Sequence, residues 1–232
     1  MEKDYNLSEL FLKKAREIAT TSINEKYICR DSCIGSYEGG NFIPKHSDSD
    51  DRKQRLFGDK INIQNEINVF RIVLVLESPH VEEFLQTPYL PAQGETGVNI
   101  KGYLDNLLYQ IREDIDSKKK YEIYLVNSLQ YQCSLGQKTE VYRDEIWNAL
   151  WEKKIFVDDF VKRLNKLNPN ILINLCTDSS KNGRREKVQK IILSRYAVKK
   201  DIVSFTGSHP SSWNKNKNRY IVKTGIKDKI YF

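Results

Sequence analysis

Four short apolar runs, each separated from the next by a helix-length segment, constrain this chain more than any other feature. They are Val69–Leu76, Glu122–Leu129, Asn170–Cys176 and Ile202–Thr206. Nearly continuous apolar runs of this length fit strands buried on both faces, as in a parallel sheet, rather than half-exposed strands with alternating polarity. The segments between them carry helical periodicity. Asn99–Asp114 places Ile100, Leu104, Leu107, Leu108 and Ile111 on one face, and Val141–Trp151, Ile155–Leu167 and Arg184–Ser194 also read as helices. Pro169 stops the third of these, because proline removes a backbone donor. Strand–helix alternation predicts an α/β fold: a three-layer α/β/α arrangement around a central, mainly parallel four-stranded sheet. The tail Tyr220–Phe232 is expected to add a short edge strand.

The rest of the chain is read as an elaboration of that core. Leu7 to about Glu25 has one apolar stripe (Leu7, Leu10, Phe11, Ala15, Ile18, Ala19) and is predicted helical, with Asn6 or Ser8 as its cap. Periodicity disappears from Cys29 to Asp59, and this stretch is predicted to be a long loop. The expectation is one domain over 1–232, with 1–66 as helix and loop and 67–232 as the α/β core. At 232 residues, with 39% hydrophobic and 30% charged residues, the chain can bury a sizeable core. No apolar run is long enough to cross a bilayer, and Met1-Glu2-Lys3-Asp4 lacks the layout of a secretory signal. The expected location is cytoplasmic, and the expected state a monomer. A net charge of +7 and a pI near 9.0 favour a polyanionic partner. There is no internal repeat, glycine-rich dinucleotide fingerprint or P-loop, which argues against an ordinary nucleotide-binding enzyme.

Two motifs follow predicted strands. Leu76-Glu77-Ser78-Pro79-His80 leaves the first run, and Gly207-Ser208-His209-Pro210-Ser211 leaves the fourth. Side chains at the carboxyl ends of parallel strands converge on one crevice, so Glu77 and His209 are expected to meet there. A carboxylate and an imidazole in one crevice suit acid–base or leaving-group chemistry. Plainer readings stand beside this one. Glu77 can serve as a helix N-terminal charge, His209 can shape a turn before Pro210, and Asn127 can satisfy loop amides.

The order of these motifs resembles the uracil-DNA glycosylase superfamily, in particular its branch with a Gly-Glu-Ala-Pro-Gly first motif. Val75–Glu83 stands where that branch has its strand, first motif and acidic residues. Gly102–Leu108 looks like its glycine followed by a leucine-rich helix. Tyr124–Ser128 is similar to the strand ending in a base-reading asparagine, Pro169–Ile173 to the next buried strand, and His209–Ser211 to the second motif. The chain departs from the family at three places. Leu76 replaces a glycine, Ser78 stands where several branches carry aspartate or asparagine, and His80 stands where a glycine or tyrosine borders the base pocket.

The resemblance implies a DNA glycosylase that flips a base and hydrolyses its N-glycosidic bond, with DNA as partner and without a cofactor. Glu77 and His209 are then the catalytic pair, and Ser78, His80, Tyr89 and Asn127 surround the base. Ser211, Trp213, Lys215, Lys217 and Arg219 form the DNA-binding loop, with Trp213 wedging into the duplex; the plainer reading of the same stretch is a solvated basic loop with a packed tryptophan. The altered first motif makes a modified pyrimidine, such as one in bacteriophage DNA, an alternative to uracil, and an anti-phage defence role would follow from that substrate. Two other functions stay open: a non-catalytic DNA-binding protein with this fold, and a nucleoside or nucleotide hydrolase. Cys29, Cys33 and Cys133, with His46, leave a metal site conceivable.

Overall fold

The computed structural model describes residues 28–45, 59–60, 69–84, 89–133, 143–177, 183–196, 202–215 and 219–224. The helix predicted over Leu7–Glu25 lies outside them. Eight strands and four α-helices are described: β1 (Ser32–Glu38), β2 (Asn41–Pro44), β3 (Asp59–Lys60), β4 (Phe70–Leu76), α1 (Glu95–Tyr109), β5 (Tyr121–Asn127), α2 (Arg143–Trp151), α3 (Lys154–Leu167), β6 (Ile171–Asn174), α4 (Arg184–Tyr196), β7 (Val203–Gly207) and β8 (Ile221–Thr224).

The sheet runs β2-β1-β5-β4-β6-β7-β8, with β3 paired to β1 off this path. Its four central strands are the four apolar runs, and they pair in parallel. β1 and β8 flank them antiparallel. The expected four-stranded parallel sheet is thus the middle of a wider, mixed one. From β4 the chain first steps to β5 on one side and then crosses back to β6 on the other. The reversal puts a topological switch point at the carboxyl ends of β4 and β6, where crevices open in α/β sheets.

The stretch from Cys29 to Asp59 is not a featureless loop. It supplies the β1–β2 hairpin, in which Glu38 faces Asn41 across a two-residue turn. Gly39 and Gly40 take φ of 58° and 88°, the left-handed pair that such a tight hairpin turn requires. β1 escapes a pattern search because its buried positions include Ser32 and Cys33. The amino-terminal region therefore extends the sheet.

Each face of the sheet has its own core. Ile72, Leu74, Ile123, Leu125, Ile173 and Phe205 meet the buried stripe of α1. Val73, Val75, Val126 and Leu172 meet residues of α2, α3 and α4, among them Trp147, Phe160, Leu164 and Val188. Ile72, Val73, Leu74 and Val75 have no exposed surface, and full burial of such side chains favours folding by about 1.5–3 kcal/mol each. Asn168, at φ 45°, ends α3 with its N–H on the carbonyls of Leu164 and Asn165, and Pro169 follows as expected. Among the described residues, no helix is long and apolar enough to cross a membrane.

Candidate functional site

A cavity of about 460 Å³ opens at the carboxyl edge of the central strands, and Glu77, Asn127, Arg143, Thr177 and His209 are among its lining residues. Glu77 comes just after β4, Asn127 ends β5, Thr177 follows β6 and His209 follows β7. The start of α1, at Gly94–Thr96, closes another side. The loop before that helix turns tightly against it. A Cβ at Gly97 would lie 1.9 Å from the Ala92 carbonyl oxygen, so glycine is required for this approach. Glu83 anchors the same loop by accepting the Ala92 N–H at 3.0 Å.

Glu77 is locked in place through both backbone and side chain. Its carbonyl accepts from Leu129 N at 3.0 Å, Ser128 Oγ at 2.6 Å and Trp147 Nε1 at 3.1 Å. Its carboxylate accepts the Thr177 N–H at 2.7 Å through Oε2 and the Thr177 hydroxyl through Oε1. Arg143 Nη1 stands 3.9 Å from Oε1. Burial alone would raise the carboxyl pKa. His209, the two Thr177 bonds and Arg184 outweigh it and hold Glu77 below its ordinary 4.5. The group is an ion at neutral pH and a weak base, because its charged form is already solvated by the protein.

His209 caps the short turn Pro210–Ser212, and its Nδ1 accepts the Ser211 N–H at 3.2 Å. The Ser211 hydroxyl lies 2.9 Å from the same nitrogen. With Nδ1 an acceptor, the neutral ring carries its proton on Nε2. Nε2 lies 3.8 Å from Glu77 Oε2, too far for a hydrogen bond but close enough for electrostatic coupling. Burial, followed by Arg143, Arg185 and Arg184, pushes the imidazole below its ordinary 6.5 against the pull of Glu77. The result is a neutral imidazole with an N–H donor at the cavity. Its turn is tied to α1 by Asn99 Nδ2, which donates to Pro210 O at 3.0 Å.

Asn127 is 2% exposed, and its Oδ1 has no hydrogen-bond partner among the described residues. Strand alternation places it on the α1 face, with Tyr121, Ile123 and Leu125. A buried acceptor without a donor is costly, and at a cavity wall it marks a place for a ligand donor.

Other sequence-predicted residues divide. Ser78, His80 and Ser211 line the cavity. Ser78 also hydrogen-bonds to Cys133, whose thiol is pushed up to about 12 by burial and so stays protonated at neutral pH. Tyr89 packs on Phe84 with ring centroids 5.1 Å apart and is not among the lining residues. Lys215 is exposed, and Lys217 lies outside the described residues. Arg219 stacks on the Tyr103 ring at 4.4 Å.

Trp213 requires a correction. It is fully buried in the α1-side core, and its Nε1 donates to the carbonyl and hydroxyl of Ser208 at 3.0 and 3.1 Å. The indole supports the His209 turn from within, so a surface wedge is ruled out by packing. Cys29, Cys33, Cys133 and Cys176 are buried thiols outside any disulfide, and no cluster of three metal-ligating side chains occurs among the described residues. Sequence reasoning missed Thr177 and Arg143. Thr177 carried one available signal, since it follows a buried strand as Glu77 and His209 do.

Comparison of the chain with protein-family models and with curated protein sequences returns no match.

Proposed function

We propose that this protein is a DNA glycosylase with a uracil-DNA glycosylase-like α/β/α fold, acting as a cytoplasmic monomer on uracil or a modified pyrimidine. The observation that carries the reading is the convergence of Glu77, Asn127 and His209 on one cavity. An ionised carboxylate, an unpaired acceptor and a neutral imidazole donor match the three demands of glycosidic cleavage.

Cleavage of the bond between C1′ and the base nitrogen leaves positive charge on the sugar and negative charge on the base oxygen. His209 Nε2–H donates to that oxygen as its charge grows, an interaction worth several kcal/mol when the donor is fixed in a dry site. Glu77 lies opposite in charge to the sugar cation. With both oxygens occupied by Thr177 it acts by electrostatics rather than by taking a proton. Asn127 Oδ1 accepts from a ring N–H of the extruded pyrimidine, which fixes the base in register. Water then adds to C1′, and its proton ends on the departed base. The basic charge of the chain and exposed Lys215 suit phosphate contact.

The test is a panel of oligonucleotides carrying uracil or modified pyrimidines, together with the matching free nucleosides, scored for released base and abasic sites. The expected result is release from at least one DNA substrate, slowed about 100-fold by His209→Ala. Release from free nucleosides alone would identify a nucleoside hydrolase instead. No release from any member would defeat the enzymatic reading.

A further inference from the structure

We infer that Arg163, which lies outside the cavity, is the positioning residue that holds Asn127 in its base-reading place. The role of Asn127 rests on the glycosylase reading; what Arg163 holds rests on geometry alone.

Arg163 projects from α3, on the sheet face opposite α1, and its side chain is 14% exposed. A guanidinium has five N–H donors, and here all are used. Nε donates to Asp159 Oδ2 at 2.8 Å. Nη1 donates to both oxygens of Asp31, at 2.7 and 2.8 Å. Nη2 donates to the carbonyls of Asn127 and Ser128, at 3.0 and 3.1 Å. Asp31 is fixed in turn by Gln130 Nε2 at 3.1 Å.

The fork sits where the sheet runs out. β1 pairs with β5 only as far as Ser32 opposite Leu125. Beyond that point the guanidinium supplies donors to the β5 carbonyls. On the other side, the amides of Ser128 and Leu129 donate to Leu76 O and Glu77 O at 2.7 and 3.0 Å. The end of β5 is therefore gripped from both sides, and its peptide plane sets the direction of the Asn127 side chain. Planar, bidentate geometry is specific to arginine, and lysine cannot reproduce it.

The experiment compares wild type, Arg163→Lys, Asn127→Ala and the double variant. One readout is the ratio of cleavage rates for a pyrimidine with its ring N–H and for the N-methylated counterpart. Arg163→Lys should reduce that discrimination at least about 10-fold, and the double variant should discriminate no worse than Asn127→Ala alone, because the two act in series. The second readout is the Asn127 side-chain amide signal by NMR, identified by its loss in Asn127→Ala. It should shift or broaden in Arg163→Lys while the remaining spectrum stays dispersed. If Arg163→Lys does not fold, Asp159→Ala removes only the Nε partner and should give the same changes at smaller size. Unmoved amide signals, or additive losses of discrimination in the double variant, would overturn the inference. A wild type that releases no base would remove the glycosylase reading, while the amide signal would still decide what Arg163 positions.

Discussion

Two polar clusters stand on either side of the same strand end and differ in one respect. Behind β5, the Arg163–Asp31–Asp159 cluster pairs every guanidinium N–H. In front of it, the cavity cluster keeps an unpaired Asn127 oxygen and places an imidazole at the cavity wall. A saturated network has no interaction left to offer and serves as architecture. An unsaturated one retains its binding capacity for something from outside. The contrast separates support from site without reference to any known protein.

The largest effect should come from breaking the saturated cluster. Arg163→Met leaves Asp31 buried without its counter-charge and should cost about 3–5 kcal/mol in chemical denaturation, whereas Asn127→Ala should change stability by no more than about 1 kcal/mol. Equal losses in the two variants would erase the distinction.

A smaller effect is expected where the clusters' logic mixes, at the Thr177–Glu77 pair. Thr177→Val keeps the backbone donor but loses the hydroxyl, and should cost about 1–2 kcal/mol at neutral pH. The pH dependence carries a sign. Because the folded pKa of Glu77 lies below its ordinary 4.5, its stabilisation is present above that value and is lost as pH falls through the folded pKa. Thr177→Val raises the folded pKa, so the acid-side slope of unfolding free energy should become shallower. An unchanged slope would show that the hydroxyl does not hold the charge.

The smallest effect concerns His209. Its folded pKa lies below 6.5, so the unfolded chain takes up the proton first and stability declines as pH falls below that value, until the folded ring also protonates. Arg143 contributes to the depression. Arg143→Met should therefore raise the His209 pKa, by less than about one unit in an NMR titration, and reduce that decline. A downward movement would contradict the assigned electrostatics.

The parallel core was legible because β4 to β7 are buried on both faces and their sequences advertise it. The flank was not. β1 buries Ser32 and Cys33 beside apolar residues, and only the Gly39–Gly40 pair betrayed a hairpin. At the site, Glu77, Asn127 and His209 could be placed together because each follows a strand that sequence could find. Arg163 and Arg143 could not, since each lies on a helix far along the chain and meets the strand ends only through tertiary packing. Trp213 failed for the opposite reason. Its basic, polar neighbours implied a surface loop, yet the indole turns inward while Lys215 stays in solvent.

That inward turn has an optical consequence. All three tryptophans are buried, and two of them are wired to opposite halves of the site. The Trp147 indole N–H bonds to the Glu77 carbonyl, and that of Trp213 to Ser208, one residue before His209. The chain thus carries native fluorophores on both jaws of its cavity, and their emission registers any displacement of either jaw without an added label.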